Sequence, residues 1–138
     1  MKIYAITPEV ALDNWPLISP FLKRARDTGQ DESSMATYMQ KILNGIAHCW
    51  IIEDDTNKVV GVGLTEFLQY SQHKTLHIIA YSGDSFEQQA ECFSTIAQFA
   101  KNSGCKSVEQ YGRKGWAKTL PKYIPGFKEV YTVMRYDL

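Results

Sequence analysis

The chain has 138 residues, of which 44% are hydrophobic, 12% aromatic and 22% charged, and its fifteen basic residues balance fifteen acidic ones. Such a length and composition suit one domain with a substantial core and exclude a disordered tail. A zero net charge lacks the overall electrostatic footprint of a nucleic-acid binder.

In chain order, Met1 to Thr7 alternates apolar Ile3 and Ala5 with Lys2 and Tyr4 before Pro8 stops it, which predicts a short strand. From Leu12 to Asp27, Trp15, Ile18, Phe21, Leu22 and Ala25 recur at three- and four-residue steps, the pattern of a helix with one buried face. Pro16 suits a first turn, whereas Pro20 is expected to kink or delay that helix. A second helix carries the stripe Met35, Tyr38, Met39, Ile42 and Ile46, with Ser33 or Ser34 as its cap and Asn44-Gly45 as its end.

Cys49 to Glu53, the turn Asp54-Asp55-Thr56-Asn57 and the run Val59 to Tyr70 predict a hairpin. A third strand follows over Thr75 to Tyr81, with Leu76, Ile78 and Ala80 expected on one face and His77, Ile79 and Tyr81 on the other. Ser82 to Ser85 then breaks into a helix whose Phe86, Ala90, Phe93, Ala97 and Ala100 share one side, ending at Ser103-Gly104. Cys105 to Tyr111 reads as a strand, Lys114 to Tyr123 as a short helix, and Phe127 to Leu138 as one bent strand or a hairpin. The expected order is β-α-α-β-β-β-α-β-α-β-β, an α/β (α+β) domain spanning 1–138, with a mixed, mostly antiparallel sheet of about six or seven strands and four helices.

The three cysteines Cys49, Cys92 and Cys105 are far apart and lie in apolar runs, which reads as reduced core thiols. No segment approaches the roughly 20 apolar residues of a membrane span, and no amino-terminal stretch has the form of a leader. The expected location is the cytoplasm, with neither membrane nor nucleic acid as partner.

This order, together with the segment Gly112-Arg113-Lys114-Gly115-Trp116-Ala117-Lys118-Thr119-Leu120 followed by Gly126-Phe127, resembles the GNAT fold of acyl-CoA-dependent N-acetyltransferases. The resemblance covers essentially the whole chain. The segment resembles the family's short helix, written N-x-x-A-x-x-x-Y, that leads to a Gly-Phe pair, with Ala117 and Gly126-Phe127 matching and one extra residue between them. The chain is similar in particular to small GNAT-like proteins of tailed-phage genomes. The resemblance implies transfer of an acetyl group from acetyl-CoA to a primary amine of a small molecule or protein, by direct attack and without a metal. It also implies that Ile79, Ala80 and Tyr81 hold the pantetheine, that Gly83 and Ser85 with Arg113 and Lys114 meet the phosphates, that Glu66 or His77 assists deprotonation, and that Tyr123 protonates the departing thiolate.

Two departures stand beside it. The family's Q/R-x-x-G-x-G/A phosphate loop corresponds to Tyr81-Ser82-Gly83-Asp84-Ser85-Phe86-Glu87, which keeps one glycine and adds two carboxylates where a pyrophosphate would sit. The position four after Ala117 is Pro121, so the role of the family tyrosine falls to Tyr123.

Each candidate has a second reading: His77 as a histidine bonded within a sheet, Glu66 as a solvated residue on a polar strand face, and Tyr123 as a packing residue. His73 and His77 have a helical metal-ligand spacing but straddle a turn and a strand, which rejects a metal site. Lys101, Lys106, Arg113, Lys114, Lys118, Lys122 and Lys128 face only one acid, Glu109, within their stretch. That excess suits a phosphate, a solvated basic face or an acidic protein partner. The alternative to an enzyme is a catalytically inactive GNAT-fold module acting through such a surface. Terminal strands with an open edge also leave a homodimer by strand exchange open.

Overall fold

The computed structural model describes residues 1–28, 33–112 and 115–138. In chain order the elements are β1 (Lys2–Ile6), α1 (Pro8–Asp13), α2 (Trp15–Thr28), α3 (Met35–Leu43), β2 (Ala47–Glu53), β3 (Val59–Gln69), β4 (Lys74–Ser82), α4 (Phe86–Asn102), β5 (Ser107–Gln110) and α5 (Trp116–Tyr123). The five strands form one sheet in the order β1-β2-β3-β4-β5. All neighbours are antiparallel except β4 and β5, which are parallel across the α4 crossover.

Local chemistry explains most boundaries. Thr7 caps α1 by accepting from the Val10 amide, and Pro8 fills the first turn, where a missing N–H costs nothing. Ser34 caps α3 through the Thr37 amide, and Ser85 caps α4 through the Gln88 amide, 3.1 Å away in each case. Gly104, at φ +81°, lets the chain leave α4 in a left-handed turn. Asp54 closes the β2–β3 turn by accepting from the Thr56 and Lys58 amides.

Two cores flank the sheet. On one face α1, α2 and α3 bury Ile18, Leu22, Tyr38 and Ile42 against Cys49, Ile51, Val62, Leu64 and Ala80. On the other, α4 packs Ile96 and Ala100 over Trp50 and Leu76. Among the described residues the cysteines are free thiols, and burial pushes the Cys49 thiol up to about 12. No helix among the described residues is long and apolar enough to cross a membrane.

Several expectations are corrected. The helix expected over Leu12 to Asp27 is two helices that part at Asn14, and α2 runs through Pro20 without a break. The sheet has five strands because Phe127 to Leu138 forms none. Beyond the Pro125 to Phe127 bridge the segment lies exposed, and strand propensity without a strand to pair with does not make a strand. The buried stripe of α4 is Gln88, Gln89, Cys92, Ile96 and Ala100, rotated from the expected one because both glutamine amides find partners inside.

The faces of β4 also differ from simple alternation. Leu64 pairs with Ala80 and Thr65 with Ile78, so Ile79 is an extra residue opposite the β3 step. The bulge puts Ala80 on the α1–α3 side, with His77, while Ile78 and Tyr81 face α4.

Candidate functional site

The bulge sits where the sheet parts. β4 pairs with β5 only as far as Ile78 opposite Gln110, then continues beside β3 to Ser82. Ile79, Ala80 and Tyr81 therefore run along an edge that β5 has left, the kind of edge to which an extended amide-bearing ligand can add.

At its end lies a cleft of about 380 Å³ lined by Arg24, Ala25, Tyr81 to Phe86, Gln89 and Trp116. Gly83 and Ser85 are both at its wall. A side chain at Gly83 has no room, since its Cβ would collide with the Gln88 carboxamide and the Tyr81 ring. Gln88 is buried, and its Oε1 accepts from the Tyr81 hydroxyl at 2.6 Å and from the Asp84 amide at 3.1 Å. Ser85 Oγ accepts from the Gln88 amide. The Asp84 amide of this loop and the Gln88 amide in the first turn of α4 are thus already held by neighbouring side chains. Burial is the main reason that the Tyr81 phenol is pushed above its ordinary range. Across the mouth Phe86 stacks on Tyr123 at 5.5 Å and meets Trp116 edge-on at 5.7 Å.

Tyr81 and Gln89 also wall a second, apolar cavity of about 30 Å³ beneath α4, shared with Trp50, Thr65, Ile78, Cys92 and Ile96.

The other half of the site is a row of charges. Register places Glu66 opposite His77 and His77 opposite Glu109, so β3, β4 and β5 each give one side chain to a line on the same face. Glu66 takes both oxygens to Lys41 of α3, at 3.0 and 3.3 Å. His77 Nδ1 lies 3.7 Å from Glu66 Oε1, is buried, and has no hydrogen-bond partner among the described residues. Burial pulls the His77 imidazole below its ordinary value, against the pull of Glu66. The Tyr111 ring stands 4.4 Å from the His77 ring. Glu109 Oε2 accepts from the hydroxyls of Tyr70 at 3.0 Å and Tyr131 at 3.3 Å. Such a row can hold an ammonium group and take a proton from it: a neutral imidazole whose Nδ1–H faces Glu66 leaves Nε2 as the acceptor.

The structure brings the expected pair Glu66 and His77 together, and sets Ile79, Ala80 and Tyr81 at the parting of the strands. Tyr123 stacks on Phe86, which lines the cleft, and no hydrogen bond or ion pair joins it to Glu66 or His77 among the described residues. Arg113 and Lys114 lie outside the described residues. Sequence reading did not single out Lys41, Tyr70, Glu109, Tyr111 and Tyr131 around the row, or Arg24 and Gln88 at the cleft. Strand register could have pointed to Glu109, since it pairs residues 32 positions apart, as in His77 and Glu109, whereas Lys41, Arg24 and Gln88 reach the site from helices.

No family model matches the sequence, and no curated protein matches it. Solved structures do. A probable acetyltransferase superposes with a TM-score of 0.73 at 13% identity, covering 100% of this chain and 97% of that one. An aminoglycoside acetyltransferase from an uncultured soil metagenomic sample, in complex with sisomicin, gives 0.70 at 19% identity, covering 99% and 95%. Glucosamine-6-phosphate N-acetyltransferase from Arabidopsis thaliana gives 0.63 at 15% identity, covering 99% and 98%. The chain has the GNAT fold. The similarity to phage proteins finds no support in these structures.

Proposed function

We propose that the protein is an N-acetyltransferase that moves an acetyl group from acetyl-CoA to a primary amine by direct attack. The observation that carries this reading is the bulged, β5-free edge of β4 at Ile79 to Tyr81, set in the same strand as His77 and its neighbour Glu66. Acetyl-CoA supplies an activated thioester. The edge at Ile79 to Tyr81 receives the pantetheine, and Gly83 and Ser85, with Arg24 across the cleft, lie at its phosphate end. The resemblance gives Arg113 and Lys114 a role toward the same phosphates.

The acceptor ammonium loses a proton to His77, oriented by Glu66, or to Glu66 itself. The amine lone pair forms the new N–C bond at the carbonyl carbon, the adduct nitrogen releases its second proton to solvent, and collapse of the adduct breaks the C–S bond. The thiolate takes a proton from the Tyr123 hydroxyl, whose oxygen is reprotonated from solvent. Titration of the purified protein with acetyl-CoA at low and moderate salt tests the first requirement. Micromolar, salt-sensitive binding supports the reading. Absence of heat and of any shift in Tm at saturating ligand removes it.

One observation favours a second reading, a catalytically inactive GNAT-fold module that works through a protein surface. Gln88 and Ser85 fill the loop amides that a pyrophosphate needs, and Asp84 and Glu87 bring negative charge to the start of α4. Lys101, Lys106, Lys118, Lys122 and Lys128 are exposed and offer the basic face for an acidic partner. Absence of acetyl-CoA binding, together with capture of an acidic protein that is lost on charge reversal at Lys118 and Lys122, supports this second reading.

A further inference from the structure

We infer that the acceptor carries two positive charges, one at the amine that reacts beside His77 and a second held by Glu109. The inference rests on the amine-acetyltransferase reading above and names its substrate class.

The two carboxylates of the row are not equivalent. Glu66 has its cation in Lys41, 3.0 Å away. Glu109 is half-buried and forms no ion pair among the described residues. Two neutral hydroxyls, from Tyr70 and Tyr131, hold Oε2, and Oε1 accepts no hydrogen bond among the described residues. A half-buried carboxylate that is oriented but not neutralised is a site that gains most from an incoming ammonium.

The surroundings suit the same ion. Tyr70, Tyr111 and Tyr131 put three rings around the row, with His73 against Tyr70 at 5.0 Å. Aromatic rings beside a carboxylate favour an ammonium over an anion. The one lysine in the row is already bound to Glu66. Among the described residues of the row, a phosphorylated amine would meet two carboxylates and a lysine already paired with Glu66.

A second observation points to a ligand at this place. His77 is only 9% exposed, yet among the described residues its Nδ1 makes no hydrogen bond, with Glu66 Oε1 at 3.7 Å. A buried polar atom left unsatisfied costs stability, and such atoms are retained where a ligand completes the set. Adjacent strands are about 4.8 Å apart, so the row from His77 to Glu109 spans one such step and the whole row two. A short diamine, or a ring that carries amines in a 1,3 relation, matches that span.

Isothermal titration of the acetyl-CoA-free protein with putrescine and with butylamine tests the inference. Putrescine is expected to bind about ten-fold tighter, the worth of one added hydrogen bond to a charged group. Glu109→Gln should bring the ratio toward one. Lys41→Met, which removes the ammonium already on Glu66, should raise putrescine affinity, an increase that a merely structural role for Lys41 would not produce. Equal affinity for the two amines, no putrescine binding, or a ratio unchanged in Glu109→Gln overturns the inference. Thiol release from acetyl-CoA with the same amines separates the two levels of argument. Putrescine binding with no thiol release from either amine removes the acetyltransferase and keeps the dication site. Thiol release at equal kcat/KM removes the dication site and keeps the acetyltransferase.

Discussion

Glu66 Oε1 stands 3.7 Å from His77 Nδ1, facing across two hydrogen-bonded strands, and that nitrogen makes no hydrogen bond among the described residues. If the pair takes the acceptor's proton, Glu66→Gln should lower kcat/KM by about a hundred-fold, the lower range for a positioned base. The pH profile gives the sharper test. Burial lowers the His77 pKa from 6.5, so kcat/KM should be level near neutrality and fall only as pH drops below that value. In Glu66→Gln the acid limb should move further down, because Glu66 is what raises it. A limb above neutral pH in the unsubstituted protein assigns the proton to another group.

The same burial predicts how stability depends on pH. His77 and His48 are both held below 6.5, chiefly by desolvation, and His48 also bonds Thr65 Oγ1 at 2.9 Å. A depressed folded pKa means that the unfolded chain binds the proton first. The contribution is thus complete above about 6.5 and is lost as pH falls through that value. Tm should be constant from neutral pH upward to mildly basic conditions and decline on acidification. Thermal scans of His77→Gln should show a shallower decline, and an equal one would place the titration elsewhere.

Tyr123→Phe keeps the ring on Phe86 and removes only the hydroxyl. Turnover should fall by about ten-fold or more while Tm stays unchanged, the pattern of a lost proton donor. Undiminished turnover would make Tyr123 a packing residue of the cleft mouth.

Gln88→Ala separates two roles for a buried carboxamide. If Gln88 occupies the place of a phosphate oxygen, its removal frees the Asp84 amide and should tighten CoA binding about five-fold, the net worth of one hydrogen bond. Stability should fall at the same time, since the Tyr81 hydroxyl loses its acceptor. Weaker CoA binding would show that Gln88 props the loop in its binding shape.

Much of the scaffold was legible because its signals are local. Caps at Ser34 and Ser85, the stop at Gly104 and the turn at Asp54 each act over a few residues. The pair Glu66 and His77 was legible because both are polar residues in strands otherwise rich in apolar ones. What escaped was non-local. Glu109 looked like the lone acid in a basic stretch until β5 was laid against β4, and Lys41 belongs to a helix whose pairing with β3 no spacing reveals. Gln88 and Gln89 lie on the buried side of α4, and their burial depends on partners at Tyr81, Asp84 and Gln110. The last segment alternates like a strand, yet pairing needs a neighbour as well as a pattern.

The extra residue at Ile79 gives β4 a phase. Ahead of it His77 looks toward α1–α3, and behind it Tyr81 looks toward α4. Losing one residue there would act like a frameshift in space, turning Ala80, Tyr81 and Ser82 to the wrong sides at once. The turn at 71–73, by contrast, can change length without altering what either face presents. In lineages that keep the cleft, insertions and deletions should therefore be absent from the middle of β4 and frequent just before it.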